Sequence, residues 1–483
     1  MLRTCLSFSL RALLAVLSLC LGPWTESAFA QGMEAAPLPL ADPGADRTFG
    51  VSAAGVKLGE DWYVRFGLSL TLQFDDVYVA PAGRLFADDQ RHRLRLWLHA
   101  PLTILVKDNP PIDQGRIRTQ EWDEVGDFLR ILRTIEYGTP WGGIYMRGGE
   151  LSNVRIGHRT IVDNYTNTLS VDRFRWGFHG NVNTLFGGAE MLIDDIARPR
   201  LIGARTFVRP FSFGDFGPAA RRHAVGVSLF GDIRAPVALL TDDSGRYITD
   251  GRGAFLIERD QPTGILGVDY EYTIVQNERV SLTPYTDANF HLGRGAGWHT
   301  GVFFGWRVVD ALVMELRTEY RLLGEDYLPR YFGPLYDIER FAYLPVATSP
   351  TRVSRLRWLQ SGAASTRRSG VLAEVAFDIG QFVRVAGAWE HEQGPDNSTV
   401  WLYASLPGLR VVQFAAWYVN TRFDGASEIF DFQNALAIVE ARGMLTSWLY
   451  LTAQINRRWQ LDSDGAYEPV DDFAFGAGAS FSF

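Results

Sequence analysis

The sequence predicts an all-β chain, an antiparallel sheet closed into a transmembrane barrel of about 16–20 strands, with 18 as the best single count. Three observations carry this expectation. The last eleven residues put Phe473, Phe475, Ala477, Ala479, Phe481 and Phe483 on one parity and Ala474, Gly476, Gly478, Ser480 and Ser482 on the other. The N-terminus reads as an export segment. Through the second half of the chain, long and short connections between strand-like segments alternate. A strand sends successive side chains to opposite faces, so the terminal segment has one greasy face and one small or polar face. In a soluble sandwich the greasy face would be the core; in a membrane barrel it is the outside, with the polar face toward a wet lumen.

Taking the chain in order, Arg3 and Arg11 flank an uncharged apolar run at 12–21, and Ala28-Phe29-Ala30 offers a small-x-small cleavage pattern before Gln31. The run is short for a helical span of a bilayer, so residues 1–30 are read as a signal peptide. Residues 31–47, rich in Ala, Pro and Asp, read as a flexible periplasmic leader, and 48–483 as the barrel. Both cysteines, Cys5 and Cys20, fall in the signal, so the mature chain is no disulfide scaffold and needs a large core or a closed sheet. Loss of Arg3, Arg11 and Glu26 moves the formal charge from −8 to −9, which argues against nucleic-acid binding. A hydrophobic fraction of 47% suits a barrel, where only every second residue meets lipid, and suits a large soluble β-protein equally.

The 62–75 segment sets Val64, Phe66, Leu68, Leu70, Leu72 and Phe74 on one face. At 92–100, Arg93, Arg95 and Trp97 alternate with Leu94, Leu96 and Leu98; at 170–181, Arg173, Arg175 and His179 are set against Phe174, Trp176 and Phe178. Further strands are predicted at 184–195, 200–211, 265–275, 280–290, 298–309, 312–323, 370–379, 382–392, 400–406, 409–420, 431–442, 447–459 and the C-terminus. Residues 101–150, with Pro110-Pro111, Gly142-Gly143 and Gly148-Gly149, alternate weakly and give no clear count. With a periplasmic C-terminus, connections counted backwards fall long outside and short inside: 461–470 against 443–446, 421–430 against Pro407-Gly408, 391–399 against Gly380-Gln381, 324–369 against Asp310, and 232–264 against 276–278. A sandwich has no reason to sort its loops this way.

On 312–323 one face carries Leu312, Met314, Leu316, Thr318, Tyr320 and Leu322, and the other Val313, Glu315, Arg317, Glu319 and Arg321. Such charges cost on the order of several kcal/mol per unpaired ion in a dry core, whereas a wet lumen accepts them and lets them pair across strands. Glu190, Arg205 and Arg209 form a second candidate pore-lining cluster, and Arg93 and Arg95 a third. Lumen charges bias ion selectivity; structural ion pairing is the alternative role. The 324–369 segment is the candidate constriction. Its aromatics, Tyr327, Tyr331, Phe332, Tyr336, Phe341, Tyr343 and Trp358, need protein surface to pack on. Folding it into the barrel mouth would bury them and set Arg352, Arg355 and Arg357 beside the permeation path, favouring anions. An extracellular cap with no role in conduction is the other reading.

His158 and Asp163, with Ser152 before them, could be posed as a triad, but triads are defined by spatial geometry, and a hydrogen-bonding loop histidine is the plainer reading. Asp462-Ser463-Asp464-Gly465 and Asp242-Asp243-Ser244-Gly245 resemble pieces of calcium loops without the remaining ligands, and read as polar turns. No zinc spacing or phosphate-cradling loop appears, so no metal, cofactor or catalytic residue is predicted.

The terminal strand closing on Phe481 and Phe483 resembles the end of Gram-negative outer-membrane β-barrels, and 48–483 is similar to the porin-like members of that class. The resemblance implies an assembly signal at Phe481 and Phe483 read by the barrel assembly machinery. It also implies an outer-membrane location among lipid and lipopolysaccharide, and passive diffusion of small polar or anionic solutes, with a homotrimer left open. None of the eight histidines is followed two residues later by Ser, the arrangement of outer-membrane lipid hydrolases. Residues 62–76 followed by the Arg-rich 92–98 are loosely similar to the opening of phosphate-selective porins. Those lean on lysine clusters, and this chain has only Lys57 and Lys107. An outer-membrane enzyme acting on lipid or surface glycan, and a closed barrel acting as adhesin or assembly partner, are the rival readings.

Overall fold

In the computed structural model, segments with period-two alternation stand side by side with their apolar parity outward. The structure describes residues 47–483 except for 59–60, 76–92, 108–115, 119–121, 123–127, 168–173, 250–254, 347–348, 364–365, 381, 395–396, 407–410, 433–434, 463 and 483. The predicted signal peptide and leader lie outside the described residues, save Arg47, which opens the first strand. Pro110-Pro111, Arg173, Gln381, Pro407-Gly408, Ser463 and Phe483 lie outside them too.

Twenty strands form the wall. Arg47–Leu58 pairs with Asp61–Phe74 on one side and Tyr467–Ser482 on the other, with Thr48 opposite Ser482 and Lys57 opposite Phe473, so the sheet closes on itself and leaves no free edge. Around the wall follow Leu94–Lys107, Leu132–Tyr137, Ile144–Gly149, Gly177–Asn183, Gly187–Ile193, Leu201–Val208, His223–Leu239, Ile257–Tyr272, Val280–His291 and Ala296–Val309. Leu312–Leu323, Arg368–Ile379, Val383–Glu392, Ser398–Leu406, Val412–Phe423, Ala435–Met444 and Leu449–Leu461 lead to the last strand. Each is antiparallel to its neighbours in sequence.

The count exceeds the best sequence estimate of 18, and five strands account for the difficulty. Leu132–Tyr137 and Ile144–Gly149 have six residues each, too few for alternation to show. Arg47–Leu58 is rich in Gly, Ala and Ser, which blunts the contrast between faces. His223–Leu239 and Ile257–Tyr272 run far into the predicted 232–264 loop as one long hairpin, bent by a register shift between Gln261 and Thr263.

Phe475, Phe481, Leu68, Trp298 and Leu322 point outward and are exposed, while Arg317, Glu319, Arg321, His299 and Glu374 point inward and are buried. A soluble fold would do the reverse; apolar outside and charged inside is the arrangement of a transmembrane barrel. The rim carrying Ser482 is here the near rim, and the opposite one the far rim. Loop sorting is weaker than predicted. The far rim holds 324–367 and 424–434, but 393–397 there is no longer than 407–411 on the near rim, which also carries a fourteen-residue connection at 209–222.

Candidate functional site

Two far-rim connections turn back into the lumen. The inner one, 150–176, descends as a narrow loop: Val154 and Tyr165 exchange both backbone hydrogen bonds (2.8 and 3.0 Å), and Asn167 Oδ1 accepts from the Leu151 amide at 2.9 Å. Its tip touches the far wall of the lumen. Gly157 adopts φ 54° and comes so close to Arg205 that a Cβ would lie 2.8 Å from that side chain, so only glycine fits. The Gly157 amide donates to Glu190 (3.1 Å), Thr160 Oγ1 to Asp287 (2.6 Å), and Arg159 Nη1 to Glu374 (3.0 Å). His158 lies on the Tyr285 ring (centroids 4.5 Å apart) with Nδ1 2.6 Å from Asp287 and Nε2 2.9 Å from Glu271.

The outer connection, 324–367, seats on the inner one. Val162 and Phe332 form a parallel bridge, the Arg330 amide donates to Thr160 O (2.9 Å), and the Phe332 amide to Ile161 O (3.1 Å). Around this seam Leu151, Val154, Ile156, Val162, Tyr165, Leu328, Tyr331, Phe332 and Tyr336 pack with wall residues Leu192, Leu201, Phe230 and Ile265 into an apolar core inside the barrel. Arg340 and Tyr336 both donate to Asp232 (2.9 and 2.8 Å), tying the outer loop to the long hairpin. The two loops together narrow the lumen on its far-rim side.

The predicted pore-lining residues divide. Arg317, Glu319 and Arg321 face inward, but Arg321 is 0% and Arg317 2% exposed, so they sit in packed interior. Arg321 lies 2.5 Å from Glu319 and 2.9 Å from Glu390; Arg317 donates to Glu319 (2.8 Å), Tyr285 Oη (3.0 Å) and His158 O (2.7 Å). The loop's Asp163 comes within 3.5 Å of Arg317, and on the wall Glu319 pairs with Arg317, Arg321 and His299 and Arg321 with Glu390, so these lumen-facing charges are held in ion pairs. Glu315 lies lower, 4.0 Å from Arg384. Arg205 bridges Glu190 (2.9 Å) and Asp269 (2.7 Å). Arg209 donates to Asn183 Oδ1 (3.1 Å) and to Thr184 O. Arg93 and Arg95 stand near the near rim against Asp75 (3.2 Å) and Glu136 (3.6 Å).

The three loop arginines are dispersed. Arg352 donates to Tyr343 O (2.7 Å). Arg355 pairs with Glu339 and lies over the rings of Tyr331 (4.8 Å) and Tyr343 (4.9 Å). Arg357 is exposed on the short helix Arg355–Gln360, which Ser354 caps. Asp242 and Asp462 each accept backbone amides within their own turns (2.8–2.9 Å), the polar turns the sequence suggested.

Beneath the inner loop lies a cavity of about 370 Å³. Its roof is Ser152–Arg159 with Arg317 and Glu374; its lower wall is Trp141, Asn183, Phe207, Arg209 and Gln276, close to the near rim. Six arginines and His158 border it against four glutamates, Glu190, Glu271, Glu315 and Glu374. Burial alone would strip the proton from His158, but Asp287 and Glu271 outweigh it and lift the imidazole to about 10. Burial likewise works against the Asp163 carboxylate, yet Arg317, Arg330 and Arg159 hold it below the usual range. The tip is therefore charged and fixed. Both His158 nitrogens face carboxylates, and Asp163 faces arginines, so the posed triad is not assembled. Arg155, Arg159 and Trp141 were not singled out from the sequence. Three basic side chains bracketing one glycine, Arg155-Ile-Gly-His-Arg159, was the available signal.

No family model matches this chain, and no curated protein matches it. Among solved structures, OccK5 (OpdH) of Pseudomonas aeruginosa aligns over 90% of this chain and 97% of its own, at 10% identity and a TM-score of 0.34. OpdK of P. aeruginosa, solved with vanillate, covers 91% and 99% at 9% identity and TM-score 0.33. OccAB2 of Acinetobacter baumannii covers 91% and 98% at 8% identity and TM-score 0.33. Likeness at this level is architectural, and the functional reading rests on the site itself.

Proposed function

We propose that this chain is an outer-membrane channel through which small polar solutes diffuse passively, with anions favoured at the constriction made by the inner loop. The observation that carries the reading is the cavity under a charged roof: a closed barrel, apolar outside, whose lumen is narrowed by a fixed loop and bordered by more guanidinium than carboxylate groups. Oriented charge in a narrow aqueous path acts on permeating ions as charged rings do in channels. The same reading surrounds the barrel with outer-membrane lipid and lipopolysaccharide. It has the assembly machinery read the aromatic terminal strand, and leaves a homotrimer to be settled by the mass of the detergent-extracted particle. Planar-bilayer recording of the purified chain is the direct test. Discrete ionic steps support a channel; a silent bilayer with folded protein inserted would overturn it.

A further inference from the structure

The near-rim connection 138–143 reads Gly-Thr-Pro-Trp-Gly-Gly, and turns ordinarily carry small or polar residues at their tips. Trp141 sits there with φ 65°, a left-handed conformation that strains a bulky residue. Two asparagines of Gly177–Asn183 hold it. The Trp141 amide donates to Asn181 Oδ1 at 3.1 Å, and Asn183 Nδ2 donates to Trp141 O at 3.2 Å. Gly138 (φ 77°) permits the turn, since a Cβ there would lie 2.1 Å from Ile144 O. The indole is directed into the lumen: it tilts at 51° against the lumen-facing Phe207, centroids 6.2 Å apart, and both rings border the cavity. Arg209 lies over the same Phe207 ring at 5.1 Å.

A second observation comes from the same cavity. Ser152 Oγ, Arg155 Nη1 and His179 Nε2 are buried in its wall with no hydrogen-bond partner among the described residues, and His179 is only 8% exposed. Buried polar atoms are nearly always satisfied, so three orphans on one cavity mark places where a ligand's polar groups would be met.

We propose that Trp141 is a stacking platform at the near-rim mouth of the cavity, selecting solutes that have a flat ring face and polar groups at the ring edge. The proposal rests on the channel reading and names its substrate class. An indole accepts such a face from an aromatic acid by π-stacking or from a pyranose through its C–H groups, and Ser152, Arg155 and His179, deeper in the same cavity, meet the edge substituents as the solute moves on.

Liposome swelling with the mature full-length chain tests it, using two solute pairs matched for size: D-glucose against D-sorbitol, and benzoate against hexanoate. The wild-type channel should admit the ring member faster than its open-chain partner in at least one pair. Trp141→Gly, which suits the left-handed backbone and keeps the turn, should lower that ratio about two- to tenfold. Trp141→Phe, which keeps a ring, should retain most of it. A loss confined to the first pair assigns sugars, and one confined to the second assigns aromatic acids. An unchanged ratio in Trp141→Gly, or ring and open-chain solutes speeding up together as through a merely widened hole, would overturn the platform while ionic current persists. A wild-type chain that passes neither solute nor current overturns the channel reading and this proposal with it.

Discussion

The two loops inside the barrel share one apolar core and differ in how the inner loop's tip is held. The outer loop, 324–367, is long and aromatic; Tyr331, Phe332 and Tyr336 bury it in an apolar core. The inner loop, 150–176, is shorter, and its tip is held by charge, through His158, Arg159, Thr160 and Asp163 against wall carboxylates and arginines. The outer loop fills space on the far-rim side of the lumen. The inner loop presents charge to the cavity, and the proposed selectivity is placed there. Length and greasiness marked the loop that fills space; the loop that faces the solute path is the one with charges at a glycine turn.

Substitutions can break this contrast. The largest effect is expected from Arg317→Ala, which leaves the buried Asp163, Glu319 and Glu374 short of a partner and should cost about 3–5 kcal/mol. Urea unfolding of the barrel in vesicles measures it, and a loss under about 1 kcal/mol would mean that the lattice is wet. Phe332→Ala should cost about 3 kcal/mol, speed protease cleavage within the outer loop, and leave ion preference in place. A change of ion preference equal to that of an inner-loop variant would erase the distinction. Asp287→Asn removes the ionised partner of both His158 and Thr160 and should cost about 1.5–3 kcal/mol, read as noisier current and faster cleavage of the inner loop.

A smaller effect follows from pH. An unfolded histidine titrates near 6.5, and His158 in place titrates near 10. Its contribution to docking is full below 6.5 and is lost as pH rises through about 10. Inner-loop protease resistance should hold near pH 6 and decline toward pH 10; a gain in resistance across that interval would reverse the sign.

Much of the wall was legible because period two is a strong signal where strands are long. Leu312–Leu323 was placed to the residue, and its charged face does turn inward. Six-residue strands gave too few alternations to read, and the small residues of Arg47–Leu58 hid the first. The partners on the lumen side were less legible, for a different reason. A charged face announces that it is not in lipid, but cannot say whether water or another loop will satisfy it. Arg317 found a loop partner 154 residues away in sequence, the Asp163 carboxylate, while Glu319 and Arg321 pair with charges on the wall. That pairing is a property of topology, and so is the separation of Arg352, Arg355 and Arg357, which share a short stretch of chain and end in three environments.

On the proposed function, the inner loop and the near-rim cavity set ion preference, and the outer-loop arginines do not. Reversal potential across a salt gradient tests it most directly, comparing Arg155→Gln/Arg159→Gln/Arg209→Gln with Arg352→Ala/Arg355→Ala/Arg357→Ala. The first set should lose anion preference and the second should keep it. Preference kept by the first set and lost by the second would contradict it.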